Sequence, residues 1–123
     1  MPIYDAHIAV DWSAANSPRR GKDSIWINEN GARGINISTR AEAMAWVEAR
    51  IARALADGER LHIGFDFAFG LTRGAAEALL GEGGWQSFWT FLHDAVEEGS
   101  RNASNRFAVG ERLNMGSELE GPF

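Results

Sequence analysis

Two aspartates offer the most direct chemistry in this chain. Asp11 lies at the end of the apolar run HIAVDW (residues 7–12), and Asp66 ends RLHIGFD (residues 60–66). If these segments are neighbouring parallel strands, about 4.8 Å apart, their matching ends bring both carboxylates within reach of one divalent cation. Two close carboxylates repel, and one is pushed up in pKa unless a cation neutralises the pair. Mg2+ or Mn2+ suits such an all-oxygen site, with water completing the shell. With phosphate oxygens also bound, an ion of this kind activates water and stabilises a departing oxyanion, which is phosphodiester hydrolysis. Ligands of open α/β sheets collect outside the carboxyl ends of the strands, the end that both acids occupy. The plainer role for a strand-end Asp is to bond nearby backbone amides in the turn that follows.

The other polar residues offer less specific chemistry. Glu42 is a candidate third metal ligand, set against its role as the acid of a T-x-x-E capping box opened by Thr39. Glu111, Glu118 and Glu120 come late enough to sit on a closing segment, and their spacing selects none of them. His7, His62 and His93 include no ligand-spaced pair on one helix, and His7 and His62 read as ordinary strand residues. Ser13 lacks the G-x-S-x-G setting of a hydrolase nucleophile and is expected to bond backbone in the turn after the first strand. Asn102, Asn105, Arg106 and Asn114 concentrate polar donors, for which helix capping is preferred over phosphate contact.

The elements that must position the aspartates follow from periodicity. HIAVDW is short and nearly continuous in apolar character, as in a strand buried on both faces. Ile25-Trp26-Ile27 and Ile35-Asn36-Ile37 favour strand, and Asn30-Gly31 between them supplies the two positive φ angles of a hairpin turn. From Thr39 the period becomes helical, with Met44, Val47, Ile51 and Leu55 on one face and an end near Asp57-Gly58. RLHIGFD returns to strand. A strand, helix and strand in that order imply a right-handed crossover between parallel partners, so the fourth strand lies beside the first and the order is 3-2-1-4. Helical patterns follow at 72–80, 85–98 and 104–114; Trp85, Phe88, Trp89, Leu92, Ala95 and Val96 form an apolar stripe read as core.

Composition bounds the class. The chain has 123 residues, 45% hydrophobic and 24% charged, enough for one α/β domain with its own core. The absence of cysteine removes thiolate metal sites and cysteine nucleophiles, so a metal must use oxygen or imidazole ligands. No apolar run approaches membrane-spanning length and the N-terminus lacks a leader pattern, from which a cytoplasmic protein without membrane partners is expected. The sequon Asn102-Ala103-Ser104 carries little weight against this. A net charge of −5 provides no broad positive field for nucleic acid, and the cluster Arg19, Arg20 and Lys22 reads as a solvated turn.

IAVDWSAANSPRRGKDSIWI, followed by HIGFDFAFG and NRFAVGERLN, resembles an uncharacterised bacterial family of predicted nucleases in the ribonuclease H-like superfamily, across nearly the whole chain. The resemblance implies a ribonuclease H-like mixed sheet and metal-dependent cleavage of nucleic acid. In that superfamily a first-strand and a fourth-strand aspartate bind the catalytic metal ions; the matching positions here are Asp11 and Asp66. A complete fold of that type has a fifth strand and a late acidic helix, and no strand pattern follows residue 70, so the chain is expected to be an N-terminal part of a longer domain or a degenerate copy. That would expose the fourth strand as an edge for pairing with a second copy. Two other classes compete: a non-catalytic binding or assembly module of the same fold, and an actin- or sugar-kinase-like nucleotide-binding protein. The latter normally has a glycine-rich phosphate turn after its first acid, where this chain has Trp12-Ser13-Ala14.

Overall fold

The computed structural model describes residues 1–81 and 83–116; Glu118 and Glu120 lie outside the described residues. Two compact units are present. The first comprises Met1–Phe67 with Gly99–Ala103, and the second runs from Ala68 to Glu98 and resumes at Ser104.

The first unit is built on a four-stranded mixed sheet. β1 (Ala6–Asp11), β2 (Ile25–Glu29), β3 (Ile35–Ile37) and β4 (Leu61–Phe65) lie in the order β3-β2-β1-β4. β1 pairs antiparallel with β2 and parallel with β4, so the crossover inferred from strand, helix and strand is present. The hairpin between β2 and β3 turns through Asn30 and Gly31, whose φ angles are +53° and +74°. Few residues other than glycine and asparagine tolerate that region, which is why this pair marks the turn.

Helix α1 (Arg40–Asp57) provides the crossover. Thr39 accepts a hydrogen bond from the Glu42 amide, Glu42 interacts back with Thr39, and Gly58 closes the helix at φ +70°. Its buried face differs from the expected one. Met44, Ile51 and Leu55 are 38%, 39% and 77% exposed, whereas Ala43, Val47, Arg50 and Ala54 are buried. The stripe is therefore turned by about one residue, leaving small Ala43 and Ala54 among its buried positions. Arg50 reaches buried depth because Glu29 and Glu59 meet its guanidinium at 2.9 and 2.8 Å.

The core of this unit gathers Ile8, Val10, Ile25, Ile27, Ile37, Ala43 and Val47, with Trp12, Trp46, Ile63 and Phe65 at its margin. Each fully buried Ile or Val contributes about 1.5–3 kcal/mol, so this cluster holds the two central strands in register. β1 is not buried on both faces. Ala6, Ile8 and Val10 point into the core, while His7, Ala9 and Asp11 are exposed. The apolar run conceals a period-two pattern because Ala9, the middle residue of the outward set, is itself apolar.

The second unit contains α2 (Ala75–Leu80), α3 (Gly84–Ala95) and α4 (Arg106–Met115). Ala76, Phe88, Val109 and Leu113 form its core, joined by Leu79, Leu80, Phe91 and Leu92. Of the expected α3 stripe, Phe88 is buried, but Trp85 and Trp89 are 63% and 38% exposed. α3 ends at Ala95, whose carbonyl accepts from Asn105 Nδ2. Among the described residues no helix is long and apolar enough to cross a membrane.

Candidate functional site

In the parallel β1–β4 pair, Val10 lies opposite Phe65, and the next residues of each strand direction are Asp11 and Asp66. Asp66 stands one residue past the end of β4. Alternation places His7, Ala9 and Asp11 on one face of the sheet with His62, Gly64 and Asp66 beside them. The opposite face is the one buried against the core. On that side Trp12 meets Phe65 and Phe67 edge-on, with ring centroids 5.9 and 5.8 Å away, which anchors both strand ends beneath the acids.

The two carboxyl groups are close enough to influence one another. Desolvation at the strand end, and after it the Asp66 carboxyl, holds the Asp11 carboxyl above the usual carboxylate range. The Trp12 amide donates to Asp66 Oδ1 at 2.8 Å. Asp66 thus performs the plainer backbone-bonding role as well as meeting Asp11. Two adjacent carboxylates offer only oxygen donors, the ligand type that hard divalent cations take.

Asp11 also lines a hollow of about 430 Å3 together with Ser13, Lys22, Asp23 and Trp26. The loop forming this hollow is folded by its own short side chains. Ser13 Oγ donates to the Asp23 carbonyl at 2.8 Å and accepts from the Ala15 amide at 3.3 Å, as its position after the first strand suggests. Ser24 Oγ donates to the Gly21 carbonyl at 2.6 Å. The basic cluster is mostly turned to local use: Arg20 donates to the Asn36 carbonyl at 2.6 Å, and Arg19 stands 3.8 Å from Asp23. Lys22 lines the hollow alongside Asp11.

Two residues position the loop after Asp11: Arg40, which the sequence did not single out, and Asn102, expected there only as a helix-capping residue. Arg40, the first residue of α1, is buried and donates to the carbonyls of Ser13 at 3.0 Å, Ala15 at 2.8 Å and Asn102 at 2.8 Å. Asn102, 2% exposed, accepts from the Arg40 amide at 2.7 Å and donates to the carbonyls of Ser17 and Ser38 at 3.2 and 3.3 Å. Together they fasten the loop after Asp11 to the start of α1. Asn102 does satisfy a helix-terminal amide, as capping implies, but that amide is 62 residues away in the chain. Its burial also removes the sequon from the folded surface. Asn105 likewise bonds locally, accepting from the Glu97 amide at 2.8 Å.

Glu42 has partners of its own. Ser38 Oγ donates to its Oε2 at 2.9 Å, and Ser38, followed by Thr39, holds its carboxyl below the usual range. Glu111 is exposed on α4. Among the described residues, no group of three or more His, Cys, Asp or Glu side chains is placed to hold a metal ion. A scan of family models, a search of curated proteins and a search of solved structures each return no match to this chain.

Proposed function

We propose that this chain is a metal-dependent phosphodiester hydrolase with a ribonuclease H-like sheet, acting on nucleic acid in the cytoplasm. The observation that carries this reading is the side-by-side placement of Asp11 and Asp66 at equivalent ends of adjacent parallel strands, on an exposed face. Asp11 and Asp66 would hold Mg2+ or Mn2+; bound there, the ion would supply Lewis acidity toward a phosphate oxygen and acidify a water. Lys22, which lines the hollow beside Asp11, is suited to face the phosphate charge. Arg40 and Asn102 would keep Trp12 and its amide in place against Asp66, fixing the orientation of that carboxylate. Glu42 would join as a third ligand only by releasing the Ser38 hydroxyl.

The test is cleavage of labelled single- and double-stranded RNA and DNA with Mg2+ or Mn2+ by wild type, Asp11→Asn and Asp66→Asn. Loss of at least about 100-fold in both variants is expected, since each removes a metal ligand. Cleavage at the wild-type rate in either variant, or none by wild type on any of the substrates, would reject the proposal. A non-catalytic assembly module is the second reading, favoured by the lack of a third convergent ligand among the described residues. In that case β4, at the edge of the sheet, would pair with a second copy, and a concentration-dependent dimer would accompany the absence of cleavage.

A further inference from the structure

The same exposed face that ends in the aspartates begins with two histidines. His7 and His62 are directly opposite in the parallel β1–β4 register, and their Nδ1 atoms lie 3.4 Å apart. At about 3.3 Å per residue along a strand, this pair is roughly 13 Å from the carboxylates, beyond any shared coordination sphere. We propose that His7 and His62 form a second, separate site that chelates a borderline divalent cation, Zn2+ or Ni2+, through both Nδ1 atoms.

Three features support a built site. The first is the span. A tetrahedral cation with metal–nitrogen bonds of about 2.0–2.1 Å separates two of its ligand nitrogens by about 3.3–3.4 Å, the distance already present. The second is preorganisation. The His7 amide donates to Asn30 Oδ1 at 2.8 Å and its carbonyl accepts from the Asn30 amide at 2.8 Å, so the backbone under this ring is held from both sides. Tyr4 packs against both rings, at 5.8 Å from His7 and 5.2 Å from His62. The third is room. Ala9 and Gly64 follow the histidines on this face, a Cβ at Gly64 would meet nothing within 4 Å, and a hollow of about 490 Å3 opens over them. Remaining coordination positions are therefore open to water or to an anionic ligand.

Proton balance is simple. One N–H···N bond can hold the two rings together without a metal; on binding, the donor ring moves its proton from Nδ1 to Nε2, and each neutral imidazole offers a lone pair. Imidazole ligands favour Zn2+ and Ni2+ over Mg2+, which separates this site chemically from the all-oxygen pair. The proposal stands whether or not Asp11 and Asp66 support hydrolysis.

The experiment is calorimetric titration of Zn2+, and separately Ni2+, into wild type, His7→Gln, His62→Gln and the Asp11→Asn/Asp66→Asn double variant. Ring-nitrogen NMR of the wild type with Zn2+ accompanies it. One saturable equivalent that persists in the Asp variant and in excess Mg2+ is expected, and each His variant should weaken that equivalent by more than about tenfold, or 1.4 kcal/mol. The NMR shift on coordination should fall on Nδ1 of both rings. No saturation in wild type, unchanged affinity in either His variant, dependence on the aspartates, or coordination through Nε2 would overturn it.

Discussion

Replacing Asn102 tests the device that positions the loop after Asp11. Asn102 holds φ +69° and makes three side-chain hydrogen bonds inside the first unit: one accepted from Arg40 N at 2.7 Å and two donated to Ser17 O and Ser38 O at 3.2 and 3.3 Å. Asn102→Gly keeps the backbone conformation free of strain and removes only those bonds. Ser38 O retains the Arg19 amide, at 3.0 Å, so the groups that lose a described partner are the Arg40 amide and the Ser17 carbonyl. At about 1 kcal/mol for each lost bond, with an added desolvation cost where a group is orphaned, the variant should lose about 2–3 kcal/mol. Asn102→Ala loses the same bonds and also places a Cβ in the left-handed region, adding about 1 kcal/mol. Urea titration at constant m reads both quantities as shifts in midpoint, and the Gly variant should melt roughly 8–12 °C below wild type. A Gly variant within about 0.5 kcal/mol of wild type, or an Ala variant no worse than Gly, would refute the account of Asn102 as a buried anchor.

Two further outcomes follow from the electrostatics. The Asp11 carboxyl is raised in the folded chain, so the fold holds that proton more tightly than the unfolded chain does. The associated stability is complete below the unfolded carboxyl value of about 3.9 and is lost as pH rises through the raised folded value. Asp11→Asn has no such loss, so without metal it should gain on wild type in urea titrations as pH climbs from about 3 to 7, modestly, because solvent screens an exposed pair. A gain that instead shrinks with pH would contradict the assignment. Arg50→Ala breaks ion pairs to Glu29 and Glu59, whose side chains are 28% and 37% exposed and so partly rehydrate. Its cost should be about 2–3 kcal/mol by the same titration, below the 3–5 of a fully buried pair; a change under about 0.5 kcal/mol would show the guanidinium is not held there.

What was legible in the sequence is what local chemistry dictates. Asn30-Gly31, the Thr39–Glu42 box and Gly58 mark their turn and caps through side chains acting within a few residues. The strand order follows from one strand-helix-strand crossover, and with it the juxtaposition of Asp11 and Asp66. The buried face of α1 was not legible, because hydropathy favours Met44, Ile51 and Leu55 while the structure buries Ala43 and Ala54. Arg50 reads as a surface residue until Glu29, 21 residues away, arrives beside it. Arg40 and Asn102 could not be paired from spacing at all, since their contact spans 62 residues and depends on tertiary structure. The histidine pair was hidden for a related reason: helix-based ligand spacing does not detect two residues brought opposite by parallel strands.

The proposed hydrolysis requires Asp11 and Asp66 to share one cation. Titration of Mn2+ followed by electron paramagnetic resonance of the free ion, in wild type, Asp11→Asn and Asp66→Asn, measures it without reference to any substrate. Wild type should show one saturable Mn2+ site, displaced by Mg2+ and lost in both variants. Equal Mn2+ binding in all three proteins, or no saturable binding in wild type, would contradict it.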